Sequence, residues 1–216
     1  MPIRLLILSL FFVSSATLAP LASAFSLSEE EAKINMEDGA KADRIGQLVS
    51  TPCKQKLKNQ KIMLVIAERR SNGYSTVQNR YGQHAQAINM RLRALGLKTY
   101  TQEEIRKQIA QAEIDAHFRN DPDAAINASK KLGANFILRG VISTSTGVNP
   151  VLRINEVSTN MGFSLVSASG KLISNVNAHN DSYSGTDTLG MALTLVNEQA
   201  DEVVANLYND YCRTAK

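Results

Sequence analysis

The stretch Lys61-Ile-Met-Leu-Val-Ile-Ala67 constrains everything around it. Its apolar residues run without alternation, so both faces of the segment must be hidden from water, as in a strand buried inside a sheet. The chain must then supply cover for both faces, and the following residues do so in alternation. Residues 76–95 repeat apolar positions at helical spacing, with Ala85, Ile88, Leu92 and Leu95 on one side, and Gly96 is placed to cap that helix. Leu97–Tyr100 reads as a short second strand. Thr101 and Glu104 form a capping box ahead of Ile105, Ile109 and Ala112. Asp121-Pro122 opens a further helix, lined inside by Ala125, Ala128 and Leu132 and stopped by Gly133. Asn135–Ser143 is a third strand.

After Ser143 the pattern changes to period two. Val151–Val157 alternates at its centre, Met161, Phe163 and Leu165 alternate next, and Lys171–Val176 follows across a Ser169-Gly170 turn. These read as antiparallel strands with a hairpin. Asn177–Thr188 is expected to be a polar loop, and Leu189–Tyr211 the last helix. The order (α)βαβααβββα predicts an α/β (α+β) protein with one mixed β-sheet flanked by helices.

The first 24 residues are of another kind. Arg4 precedes an apolar run from Leu5 to about Val13, and Ala22-Ser23-Ala24 is a small-residue cleavage site. This is the pattern of an export signal. The run is well short of the ~20 residues that a spanning helix needs. The expected organisation is a signal peptide over 1–24, a helical extension over 25–58 and a single α/β domain over 59–216. The extension opens on Ser28-Glu29-Glu30-Glu31, is expected to break near Asp38-Gly39 and ends at Thr51-Pro52. Phe25 stands where a bacterial lipoprotein would need a cysteine, so no lipid anchor is expected. The exported protein should be soluble and periplasmic. Export also exposes Cys53 and Cys212 to an oxidising compartment, where two cysteines predict one disulfide, worth roughly 5 kcal/mol at most for so long a loop.

Within 216 residues, Lys and Arg number 24 against 20 Asp and Glu, a net +4 that gives no basis for a nucleic-acid partner. Aromatics are 6% and Trp is absent, which disfavours an aromatic carbohydrate groove. His84, His117 and His179 match no metal-ligand spacing, and there is no nucleophile elbow or P-loop. The reading is a non-enzyme without metal or cofactor. The best surface candidate is the loop Glu68–Tyr74 after the first strand. Arg69, Arg70 and Tyr74, with Arg80 and Tyr81, offer residue types favoured at protein interfaces. The loop Asn177–Asp187, with His179 and Tyr183, is the second candidate.

Three stretches carry a resemblance to a known group. They are Lys61–Ala67 leading into a long helix, Lys131-Leu-Gly-Ala-Asn-Phe-Ile-Leu-Arg-Gly-Val-Ile-Ser143, and Phe163-Ser-Leu-Val-Ser-Ala-Ser-Gly-Lys-Leu-Ile-Ser174 ahead of a long terminal helix. In order and spacing they resemble the domain shared by the curli secretion lipoprotein, the outer-membrane activator of penicillin-binding proteins and flagellar assembly protein T, which has a fold like the N-terminal domain of TolB. The resemblance covers roughly 61–211. It implies a non-catalytic accessory of the cell envelope that binds other envelope proteins. It transfers no catalytic residue and selects no partner. The curli protein and the synthase activator are lipidated, and Phe25 departs from them there. The alternative is a periplasmic small-ligand domain that takes an anion at Arg69–Tyr74.

Overall fold

The computed structural model describes residues 27–57, 60–70, 73–75, 82–100, 102–116, 118–119 and 122–214. The chain divides into two units, Met1–Glu37 and Asp38–Lys216. The predicted leader and its cleavage site lie outside the described residues. Helix α1 (Leu27–Val49) is continuous through Gly39, so the expected break is absent. In the first unit its side chains from Glu29 onward are exposed, and Lys33 pairs with Glu37 one turn later at 4.0 Å.

The second unit is built on a six-stranded sheet. After a single helical turn α2 (Lys54–Leu57), strand β1 (Lys61–Arg70) enters the interior of the sheet. It pairs in parallel with β4 (Phe136–Val148), from Ile62 opposite Phe136 to Glu68 opposite Ile142. Its other edge is shared by β3 (Lys98–Thr99) at the start and β2 (Gly73–Ser75) at the end. Strand β5 (Asn155–Ser167) and β6 (Leu172–Ser184) continue from β4 as an antiparallel meander, giving the order β2-β1-β4-β5-β6. Helix α3 (Gly82–Ala94) lies between β2 and β3 in the chain. Helices α4 (Gln102–Gln108), α5 (Gln111–Ala116) and α6 (Pro122–Leu132) lie between β3 and β4, and α7 (Thr188–Thr214) comes last. The expected mixed sheet with flanking helices is therefore what forms.

Alternation along β1 explains its unbroken apolar run. Ile62, Leu64 and Ile66 join a core with Ile88 and Leu92 of α3 and Val196, Val203, Leu207 and Tyr211 of α7. Met63, Val65 and Ala67 point the other way, into a core with Ile105, Ile109, Ile114, Phe118, Ala128 and Leu132. A strand buried on both faces needs apolar residues at every position.

Several element boundaries differ from expectation. Much of the segment Glu68–Tyr74 is strand rather than loop: β1 continues through Arg69 and Arg70, which pair with Tyr74 and Gly73 of β2, while Ser71 and Asn72 lie outside the described residues. The helix expected from Thr101 to Ala112 breaks at Ile109–Ala110, where Glu113 Oε2 accepts from the Ala110 amide at 3.3 Å and starts α5. Lys131 of α6 pairs with Glu113 and holds its carboxyl below the usual value. The segment Val151–Ile154 is a turn, and β5 begins at Asn155. The expected loop Asn177–Thr188 is mostly strand, since β6 runs to Ser184 in register with β5. Its polar residues have partners on α7: Asn180 Nδ2 donates to Glu198 Oε2 at 2.6 Å, and Ser174 Oγ donates to Asp210 Oδ2 at 2.6 Å. Asp187 caps α7, accepting from the Gly190 amide at 2.8 Å.

Cys53 and Cys212 form the expected disulfide, with Cα atoms 5.3 Å apart. Both residues are buried in the larger core. Nearby, Tyr211 Oη donates to Lys56 O at 2.8 Å and Lys56 Nζ donates to Cys212 O at 2.6 Å, so two hydrogen bonds tie the end of α7 to α2 beside the disulfide.

Candidate functional site

Helices cover the two sheet faces unequally. Toward α7 the sheet is buried along most of β5, through Val157, Thr159, Met161, Phe163 and Leu165. On the opposite face, α4 to α6 cover the first part of β1 and β4. Among the described residues, no helix covers the later part of β4 and the facing residues of β5 and β6. Residues on that open face alternate with the buried ones: Asn160 on β5, and Asn175, Asn177, His179, Asp181 and Tyr183 on β6, are all exposed.

This uncovered area is a groove of about 360 Å³ with Arg69, Ser143, Asn160, Gly162, Asn177 and His179 along its walls. Cross-strand registry brings them together. Asn160 faces His179, and Gly162 faces Asn177. Arg69 shares the face of Ser143, because the residues before them, Glu68 and Ile142, are paired. Gly162 keeps the floor low, since a Cβ there would lie 3.1 Å from Asn177 Oδ1. The His179 ring is held from both nitrogens, by Asn160 Oδ1 at 2.9 Å from Nδ1 and by Asp181 Oδ1 at 3.5 Å from Nε2. Arg69 is exposed and has no ion-pair partner among the described residues.

The two surface candidates of the sequence thus meet in one place. Arg69 from the first and His179 from the second line the same groove. Arg70 and Tyr74 are placed by their backbones in the adjoining hairpin, in pairs with Gly73 and Arg69. Arg80 and Tyr81 lie outside the described residues. Tyr183 is on the same strand face as His179, farther along β6. Asn160, Ser143 and Gly162 were not singled out in the sequence, because only strand registry places them beside Arg69.

The remaining titratable groups have other surroundings. His84 on α3 is buried, and burial lowers its pKa to about 4, so it is neutral near pH 7. His117 lies outside the described residues. Among the described residues, no cluster of three or more His, Cys, Asp or Glu is arranged to hold a metal ion, and no helix is long and apolar enough to cross a membrane. The groove offers a guanidinium, an imidazole, amides and a hydroxyl on a rigid sheet. Such a set can bind an anionic or amide-bearing group through charge-assisted hydrogen bonds.

No protein-family model matches the chain, and no curated protein does. Solved structures are similar to it. The hypothetical protein CT253 from Chlamydia trachomatis superposes with a TM-score of 0.50 at 15% identity, over 71% of this chain and 98% of that one. Lipoprotein GNA1162 from Neisseria meningitidis gives 0.40 at 16% identity, over 66% and 99%. The LpoB C-terminal domain from Salmonella enterica gives 0.35 at 14% identity, over 63% and 94%. The first of these bears out the expected fold class, and lipoproteins are among the neighbours.

Proposed function

We propose that this chain is a non-catalytic, exported accessory protein of the cell envelope, and that it binds another envelope protein through the groove beside Arg69. One observation carries the reading: the cation of Arg69, without an ion pair among the described residues, and the polar row of β6 line the same groove on the sheet. A cation that no described carboxylate pairs with invites a carboxylate from outside. The amides of Asn160 and Asn177 can pair with the main chain of whatever delivers it. The export pattern of residues 1–24, the buried disulfide and the resemblance of residues 61–211 to envelope accessory domains support the setting.

A photo-crosslinking residue at Asn177 in the producing cell tests this. The expected result is one dominant crosslinked envelope protein, absent when the probe sits at Arg93 on α3, an exposed position across the sheet. Equal crosslinking at both positions, or none at Asn177, contradicts the reading. A small anion is the second reading, favoured by the presence of Arg69 and His179 among the residues that line one groove. A rise in melting temperature with a single small anion, and no protein crosslink, would select it.

A further inference from the structure

A second surface stands apart from the groove, at the turn joining β4 and β5. Among the described residues, four of the ten exposed large apolar side chains fall within this turn: Val148 is 63% exposed, Val151 85%, Leu152 55% and Ile154 40%. Scattered exposed apolar residues are normal, but a contiguous cluster at the end of a hairpin marks a contact surface. We propose that this tip docks the protein on an anionic lipid bilayer, with Val151 and Leu152 entering the interface.

Three observations favour a bilayer. First, the turn satisfies its own backbone. Asn149 Oδ1 accepts from the amides of Val151 and Leu152 at 3.0 Å each, Asn149 O accepts from Arg153 at 2.8 Å, and Asn149 N donates to Ile154 O at 2.9 Å. Lipid offers no hydrogen bonds, so only a self-satisfied backbone enters it cheaply. Second, Arg153 is the single charged residue from Val148 to Asn155. Its side chain has no ion pair among the described residues, so it is available to headgroup phosphates, with its stem along the apolar surface. Third, Tyr183 is 49% exposed and is paired with Glu156, one step below the end of the hairpin. That is where an aromatic ring meets the headgroup layer of a bilayer in contact with the tip. Arg153 also holds a positive φ of 54°, the only non-glycine among the described residues to do so. Glycine would carry that backbone without strain, so the position retains a cation against a conformational cost.

The chain contains no Trp, so Leu152→Trp installs a unique fluorophore at the tip. The exported protein with this change is mixed with vesicles of phosphatidylethanolamine and a minority of phosphatidylglycerol. The expected result is a blue-shifted emission that brominated acyl chains quench. In sedimentation with the same vesicles, Val151→Asp with Leu152→Asp should lower the bound fraction about tenfold or more. Arg153→Gln should weaken binding to anionic vesicles by about fivefold and leave phosphatidylcholine vesicles unaffected. Urea unfolding checks that the variants keep the wild-type fold, and if the double Asp variant does not fold, lipid quenching of Leu152→Trp decides alone. The proposal is overturned if the wild type stays in the supernatant, or if a folded double Asp variant binds as well as the wild type. It is also overturned if the Trp emission shifts only on adding envelope protein without lipid, which would assign the tip to a dry pocket of a protein.

Discussion

Gly140 shows how a single residue can be visible in a sequence without its reason being visible. It stands inside the apolar part of β4, between Arg139 and Val141, and the sequence marks it only as part of a strand-and-glycine pattern. In the fold it lies opposite Phe163 of β5, whose ring rests on the glycine. A Cβ at Gly140 would stand 2.4 Å from the ring and 3.1 Å from Ile66 Cγ1. Gly140→Ala should therefore destabilise the protein by about 1–3 kcal/mol through overpacking. Adding Phe163→Leu should restore part of the loss, which urea denaturation of the single and double variants can measure. An unchanged midpoint for Gly140→Ala would mean the ring does not sit there. Arg69 is the reverse case. Two arginines after an apolar run attract notice in the sequence, but their pairing with β2 depends on a three-residue strand too short to read. Ser143 and Asn160 gave no signal, since their importance is a matter of registry with strands far away in the chain.

At the scale of elements, segments with strong apolar periods were legible and polar ones were not. The run 61–67, the caps at Gly96 and Gly133 and the turn at Gly170 are where the sequence places them, and all three glycines hold a positive φ. The far half of β6 was misread because Asn, Asp and Ser favour turns and are poor strand formers by themselves. Here tertiary pairing with β5 and hydrogen bonds to α7 override propensity. The same override splits the helix at Ile109, where Glu113 begins a second one. The disulfide belongs to this scale too. It joins the residue before α2 to the last turn of α7 and closes a loop of 159 residues. Replacing both cysteines by Ala should lower the unfolding free energy by about 2–5 kcal/mol. Urea titration of oxidised wild type against the double variant measures this, and equal midpoints would show that the bond contributes nothing to the fold.

For the whole molecule, the class of fold followed from one physical demand: a doubly buried strand needs helices on both sides. What the sequence could not show is that the described helices leave part of one face bare. Coverage depends on the lengths of β4, β5 and β6, thirteen residues each, which outrun α4, α5 and α6. The bare part becomes the groove, and the far end of the same hairpin becomes the apolar tip. In the proposed reading, one surface engages a protein and the other a bilayer. An accessory protein of an envelope machine would use such a pair to be held at a membrane while engaging a partner. The measurement that bears most directly on this account is the affinity of the crosslinked partner for the triple variant Arg69→Ala, Asn177→Ala, His179→Ala. All three side chains are exposed, so stability should stay within about 0.5 kcal/mol per site. Affinity should fall by about 2 kcal/mol or more, roughly thirtyfold. A triple variant that folds normally and keeps its partner at full affinity would contradict the account.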